Sequence, residues 1–300
     1  PSIQVARGMT VGTKTSTPRE SNELITQFFH QTTFNPGDWT FKGGVDYMKT
    51  DVDNQFFQNN SGNFVFDSYA GAAAWASGTL AAGTPGNISY SGAISPYKGR
   101  IEMWTKTLSA FAQASYSGLF SKRLNLNLGV RYTKQDFSDN PAANPNFKGL
   151  DQAIGASAVD PRFAFSFDLD GKGTTILRGG HGWFSSPTPL LLHSNTMTGN
   201  AQIITNYSYA LGTGAGRTAG NLAIFNSGLL SASSMISGTS VNKVSDAGLL
   251  SLAGSFPAGG ASATSLWDPN NKLSRSKKST LGIERDMGNQ LVVGAKVTYI

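Results

Sequence analysis

Apolar side chains recur at every second residue in several stretches of this chain, and this alternation constrains its fold more than any other feature. In residues 124–132, Leu, Val and Tyr alternate with Asn, Gly and Arg. Residues 39–47, 162–168 and 291–299 follow the same pattern. Because successive side chains of a β-strand point to opposite faces of its sheet, each stretch predicts a strand with one apolar and one polar face.

Weaker runs with the same period bring the prediction to nine strands, at residues 3–11, 23–34, 39–51, 106–116, 124–132, 162–169, 174–184, 278–286 and 291–300. Turn-forming residues predict tight turns at 35–38, 117–123, 170–173 and 287–289. The remaining connections are long and occupy about residues 52–105, 133–161 and 185–277. Short turns and long connections therefore alternate after the first strand.

Connections of this length are uncommon within compact soluble domains. Outer-membrane β-barrels combine short turns at the periplasmic rim with long loops at the cell surface, and their strands are apolar outside and polar inside. We therefore predict an all-β fold that is an antiparallel transmembrane β-barrel portion, with residues 1–300 forming part of one barrel domain. The alternative, a soluble β-sandwich, predicts turns every 8 to 12 residues or so and no one-sided set of long loops.

Aromatic residues support the barrel. In four strands, the apolar face reaches an aromatic residue eight positions after the short turn, from Trp39 to Tyr47, Leu124 to Tyr132, Thr175 to Trp183 and Leu291 to Tyr299. Eight residues span roughly 26 Å of strand, close to the height of the apolar band of an outer-membrane barrel.

Composition excludes several other classes of protein. The chain is 39% hydrophobic, which is too apolar for a disordered protein, and it has no Cys for a disulfide framework or a thiolate nucleophile. Its net charge of +6 is scattered without a basic run, so a nucleic-acid partner is not expected. No stretch is long and apolar enough to predict a transmembrane helix.

The sequence contains no motif typical of an enzyme. His30, His181 and His193 share no metal-ligand spacing, and no catalytic motif accompanies them. Asp51, Asp53 and Asn54 could bind calcium at the end of their strand, although a solvated loop is the favoured interpretation. We expect no catalytic residue, cofactor or metal.

Four segments resemble, in order, strands of TonB-dependent outer-membrane receptors, particularly the Oar-like group with a carboxypeptidase-regulatory-like N-terminal domain. Residues 124–132 resemble the family's Leu-x-Leu-Asn-Leu-Gly-Leu-Arg-Tyr strand. Residues 161–168, 177–184 and 279–285 resemble its Pro-Arg-x-Gly-Phe-Ala-Tyr-Asp, Leu-Arg-Gly-Gly-Tyr-Gly-x-Phe and Ser-Leu-Gly-x-Glu-Arg segments. Residues 111–116 depart from the pattern, because they lack the Asp and Trp of the family's Tyr-x-Gln-Asp-x-Trp.

This resemblance implies a function and partners. Such receptors form a barrel of roughly 22 strands, so the nine predicted here would be a portion of one, with more chain expected beyond Ile300 and no plug domain within residues 1–300. The resemblance implies uptake of a nutrient across the bacterial outer membrane, contact with its lipid, and coupling to the TonB complex through parts outside this segment. The alternative is a structural or adhesive surface barrel without transport.

Two groups of side chains are candidate sites. Charged residues on the polar faces are expected to face the barrel interior, either touching solute or forming ion pairs; they are Lys42, Asp46, Arg131, Arg162, Asp168, Arg178, Glu284 and Lys296. Residues 179–271 carry only four charged side chains, so a glycan, peptide or other largely uncharged small-molecule ligand is expected there. The candidate contacts, which could instead pack the loop, are Tyr207, Tyr209, Phe225, Phe256 and Trp267.

Overall fold

The computed structural model describes residues 1–6, 8–214, 217–237, 240–252 and 265–300. In chain order, the described strands are β1 (Ser2–Val5), β2 (Met9–Gly12), β3 (Arg19–Phe34), β4 (Trp39–Phe56), β5 (Asn63–Phe66), β6 (Ile88–Ile94), β7 (Arg100–Leu119), β8 (Leu124–Phe137), β9 (Ala156–Asp168), β10 (Thr175–Ser186), β11 (Thr205–Leu211), β12 (Ile236–Ser237), β13 (Ser240–Val241), β14 (Ser274–Asp286) and β15 (Val292–Tyr299). The described helices are α1 (Tyr69–Ala76), α2 (Leu190–Thr198), α3 (Ala219–Asn226), α4 (Ala232–Met235), α5 (Asp246–Leu252) and a 3-10 turn at Pro145–Phe147.

Eight long strands form one antiparallel sheet, which we call the wall. Their order is β15-β14-β10-β9-β8-β7-β4-β3, so each wall strand pairs with the wall strands that come before and after it in the chain. The prediction of an all-β, mostly antiparallel fold is therefore confirmed. Within the described residues the two edge strands, β3 and β15, are not paired with each other, so the wall is an open sheet.

The first predicted strand is wrong. Residues 3–11 do not run as one strand in the wall but form the hairpin β1 and β2, which belongs to a second sheet. The chain reverses where Ala6 has a φ of 48° and the Gly8 N–H donates to the Val5 carbonyl. Gly8 interrupts the apolar run, and a Gly inside a strand pattern often marks such a break.

The four short turns all lie at one end of the wall, and the long connections lie at the other. Gly37, Gly171 and Gly288 have positive φ values of 60°, 72° and 81° in three of these turns, a conformation that Gly adopts without steric cost. The long connections are shorter than predicted, because the strands continue past the aromatic residues that end the apolar band. Strand β7, for example, has 20 residues rather than the predicted 11.

The long connections fold into a second unit with its own core, which we call the loop module. It contains the five-stranded sheet β11-β6-β5-β1-β2, in which β1 and β5 are parallel, together with α1, α3, α4 and α5. Its core includes Phe64, Trp75, Tyr90 and Leu230, and the Trp75 indole N–H donates to the Leu230 carbonyl at 2.7 Å. Burial of such apolar surface is the main driving force for folding of the connections.

A smaller apolar cluster joins the connections to the wall. Met197 of α2 packs with Ile203 and Ile204 against a group of wall residues that includes Val52 and Met103, and all of them are buried. The longest described α-helix has nine residues, and none of the described helices has the length and apolarity needed to cross a membrane.

Candidate functional site

Strand pairing assigns every side chain of the wall to one of two faces. Phe41 aligns with Ala114, Ala114 with Leu128, and Leu128 with Phe163. Because aligned residues of neighbouring strands point to the same side, these four share one surface. The remaining positions on that surface are mostly Val, Leu, Ala, Phe and Tyr, so we call it the apolar face.

The opposite, polar face carries all eight charged residues predicted to face the interior. The row Lys42, Gln113, Gly129 and Arg162 runs across four neighbouring strands. The same register places the others on this side, namely Asp46, Arg131, Asp168, Arg178, Glu284 and Lys296. The strand pairing shows that these eight residues share one face of the wall. Their contact with solute stays a prediction.

The aromatic residues at the upper edge of the apolar band reveal a tilt of the strands. The strand register lets each aromatic residue be compared with the one two strands before it. Tyr132 lies two residues nearer the short turns than the position aligned with Tyr47. Trp183 is shifted in the same way relative to Tyr132, and Tyr299 relative to Trp183. If these rings mark one plane, the strands are staggered by about one residue each. With a rise of about 3.3 Å and a strand spacing of about 4.8 Å, this stagger corresponds to a tilt of about 35°, within the range of membrane barrels.

Some charges on the polar face neutralise one another, and others do not. Arg131 pairs with Asp46 at 3.6 Å, and Arg178 pairs with Glu284 at 3.0 Å. Asp168 lies beside a short turn, where its carboxylate accepts hydrogen bonds from the backbone N–H groups of residues 171 and 173 at 2.9 Å each. Of the eight, the cations left without an ion pair to a described residue are Lys42, Arg162 and Lys296.

Comparison with known proteins decides the family. A family model described as an outer membrane beta barrel domain matches residues 1–300. The chain belongs to this family. The wall has one apolar and one polar face and tilted strands, which agrees with that assignment. Membership of the family places this outer membrane beta barrel domain in the bacterial outer membrane, with lipid in contact with the wall. Searches of curated proteins and of solved structures found no match.

Three of the five loop aromatics predicted to contact ligand are buried in this outer membrane beta barrel domain. Tyr209 and Phe225 are 2% and 0% exposed, and the Tyr209 hydroxyl donates to the Leu249 carbonyl. Trp267 is 8% exposed and packs edge-on against Phe137. Their burial favours the packing alternative for these three.

The other two loop aromatics differ from these. Tyr207 is half-buried and stacks on Tyr209 with ring centroids 6.5 Å apart, so one side of its ring is covered. Phe256 lies outside the described residues. Ligand contact therefore stays a prediction, and among the described candidates Tyr207 has the most accessible ring.

A polar anchor missed by the sequence analysis joins the long connection after β10 to the wall of the outer membrane beta barrel domain. The Gln135 side chain donates to the Thr188 carbonyl at 3.0 Å and accepts from the Thr188 N–H at 2.7 Å. His193 of α2 is fully buried, with its Nε2 3.1 Å from the Ser138 hydroxyl. Burial lowers the pKa of His193 to about 4, so it is neutral at pH 7.

A buried cation cross-links the loop module of this outer membrane beta barrel domain. Arg217 is almost fully buried, and its guanidinium donates to the carbonyls of Ala81, Thr84, Gly86 and Gly212. Burial lowers the pKa of the guanidinium, but an arginine stays charged at any physiological pH. In the sequence, Arg217 is one of only four charged residues between positions 179 and 271, and no pattern indicates its carbonyl partners.

The carboxylates considered for calcium have other partners. Asp51 pairs with Lys49 at 2.6 Å, and Asp53 pairs with Arg100. Across the described ranges of the outer membrane beta barrel domain, no group of three or more His, Cys, Asp or Glu side chains has the arrangement to hold a metal ion.

Proposed function

We propose that this domain is part of a TonB-dependent outer-membrane receptor that takes up a nutrient. The proposal rests on the four ordered segments that resemble such receptors and on the family assignment of the whole chain. The loop module is its strongest structural support, because a folded surface at one end of the wall could bind a ligand.

The position of the connection after β10 supports this proposal. Val52, Ile101 and Met103 lie on the polar face at the end of the wall remote from the short turns, and Met197 and Ile203 cover them. A loop segment therefore lies over the entrance to the side that faces the interior in outer-membrane barrels. A ligand held by the loop module would be next to the path through such a barrel.

The experiment compares nutrient uptake in three bacterial strains. One carries the complete protein, one lacks it, and one carries it but lacks TonB. We expect uptake of the same nutrient to fail in the second and third strains. A glycan or peptide is the first candidate, since residues 205–237 are rich in Ser, Thr and Asn and contain a single charged residue, Arg217. Uptake that needs the protein but not TonB would contradict active transport.

A second candidate is a surface barrel that mediates adhesion. The observation in its favour is a set of exposed apolar side chains on the long connections, which include Tyr69, Leu191 and Leu250 at 61%, 60% and 55% exposure. Exposed apolar patches often mark contact surfaces. If loss of the protein leaves uptake of every tested nutrient intact but reduces attachment of cells, adhesion is the better account.

A further inference from the structure

Three cations line one depression on the polar face of the wall. The depression has a volume of about 430 Å³, and Arg162, Lys278 and Lys296 contribute to its lining together with Gln113 and Asn127. None of its lining residues is Asp or Glu. This depression, which we call the cationic pocket, therefore concentrates positive charge without an internal counter-charge.

The cations of the cationic pocket differ from the two paired arginines of the polar face. Elsewhere on the polar face Arg131 has Asp46 and Arg178 has Glu284 as ion-pair partners. Among the described residues, none forms an ion pair with Arg162, Lys278 or Lys296. Like charges that share a site destabilise each other unless an anion lies among them.

Gly182 lets the Arg162 side chain lie close over the floor of the cationic pocket, whose volume of about 430 Å³ leaves room for an anion beside it. Arg162 and Lys278 lie on one row of the register, on either side of Gly182. A Cβ atom at Gly182 would lie 3.1 Å from Cγ of Arg162 and would press on that side chain. The Arg162 guanidinium lies 4.5 Å above the ring of Phe184, which helps to fix its orientation.

Neutral donors complete the cationic pocket. The Asn127 amide oxygen accepts from the Ser115 hydroxyl at 2.5 Å, which leaves the two N–H groups of that amide for another partner. Guanidinium, ammonium and amide N–H groups all donate, so the pocket matches a ligand that only accepts. A carboxylate has this character, and a guanidinium can bind it through two parallel hydrogen bonds.

We propose that the cationic pocket binds a carboxylate. The carboxylate can belong to a soluble anion that enters the interior, or to an acidic side chain of polypeptide packed against the wall. The proposal needs only that the polar face lines the interior; it does not depend on TonB or on active transport.

The experiment uses the complete protein, purified in detergent, and sodium citrate as the probe. The thermal midpoint is measured in citrate and in sodium chloride of equal ionic strength, and the citrate dissociation constant is obtained by calorimetry. The variants are Lys278→Gln and Lys296→Gln, singly and combined. Lys277→Gln is the matched control, because it removes the same charge one residue away on the apolar face. All three lysines are exposed, so these substitutions leave the packed core intact.

A soluble ligand predicts that citrate raises the thermal midpoint more than chloride does, and that each pocket variant weakens citrate binding about tenfold while the control does not. A packed polypeptide carboxylate predicts no citrate effect, but a lower midpoint for the double variant at low salt, which disappears at about 1 M salt. If the double variant matches the control in both citrate binding and thermal midpoint, the proposal is wrong.

Discussion

Side chains on the two faces of one wall strand have different surroundings. On β8, Leu128 is 54% exposed on the apolar face, midway along the apolar band, and Asn125 lies on the polar face. We predict that Leu128→Arg lowers the free energy of unfolding by about 2 to 4 kcal/mol, because a charge at the bilayer midplane loses its hydration. Urea unfolding of the complete protein in lipid vesicles measures this change.

The matched control for Leu128→Arg is Asn125→Arg, which introduces the same side chain on the polar face. We expect it to change the free energy of unfolding by less than about 0.5 kcal/mol, since wet barrel interiors accept charge. Equal penalties for the two variants would contradict the assignment of the faces.

His193 gives the anchor of the long connection a dependence on pH. Folded His193 stays neutral down to a pKa of about 4, whereas in an opened α2 segment it would take up a proton near its ordinary pKa of about 6.5. The opened state alone therefore gains a proton as the pH falls from 6.5 or so. The free energy of opening should be constant above about pH 6.5 and fall by up to about 1.4 kcal/mol per pH unit below it.

Hydrogen exchange of residues 190–198 at pH 7 and pH 5 tests this expectation. His193→Gln keeps a hydrogen-bonding side chain but does not titrate, so the pH dependence of opening should disappear in that variant. Persistence of the full pH dependence in His193→Gln would rule out this explanation.

At the scale of strands and loops, the wall could be predicted and the loop module could not. Strand β8 alternates over many residues, pairs with its sequence neighbours and faces two different environments, so its pattern alone identifies it. Strands β5 and β11 also alternate, with Phe64, Phe66, Tyr207 and Tyr209, but they have only 4 and 7 residues. Their partners are distant in sequence, and no local pattern specifies such pairing.

The candidate site shows the same limit. The eight charged residues of the polar face follow from the two-residue period. The same period places Lys278 on the face of Glu284, although Lys278 is not among the eight predicted residues. The strand begins at Ser274, which makes Lys278 an interior position of the wall. The absence of ion-pair partners around it depends on neighbouring strands, so sequence alone could not show it.

Arg217 allows a prediction about the loop module. The planar guanidinium of Arg217 donates hydrogen bonds to four carbonyls. In Arg217→Lys a single ammonium group takes its place, and it cannot contact all four. We expect the free energy of opening of residues 79–87 to fall by about 2 to 4 kcal/mol, the loss of one or two charged hydrogen bonds. Hydrogen exchange of that segment measures it.

Lys243→Gln is the matched control, since Lys243 is an exposed cation of the same module, 3.9 Å from Asp246. An exposed pair of this kind contributes little, so exchange of residues 79–87 should stay unchanged. Equal effects of the two substitutions would mean that the guanidinium does not cross-link the module.

The whole molecule has two chemically distinct ends, and its lack of Cys makes them easy to label. Ala82 is exposed on the loop module, and Lys172 is exposed in a short turn. Because long loops of outer-membrane barrels face the cell surface, Ala82→Cys should react with a membrane-impermeant maleimide on intact cells. Lys172→Cys should react only after the outer membrane is permeabilised. Labelling of both positions on intact cells would contradict this orientation.

The loop module draws its core from three separate parts of the chain, with Val5 from the first hairpin, Phe64 and Tyr90 from the connection after β4, and Tyr209 and Leu249 from the connection after β10. If one connection were replaced by that of another barrel, its apolar side chains would not fit those contributed by the other two parts of the core. Recombination can therefore transfer this folded surface between proteins only when all three parts move together. Surface variation within one lineage should arise at exposed positions such as Leu250 rather than by replacement of single loops.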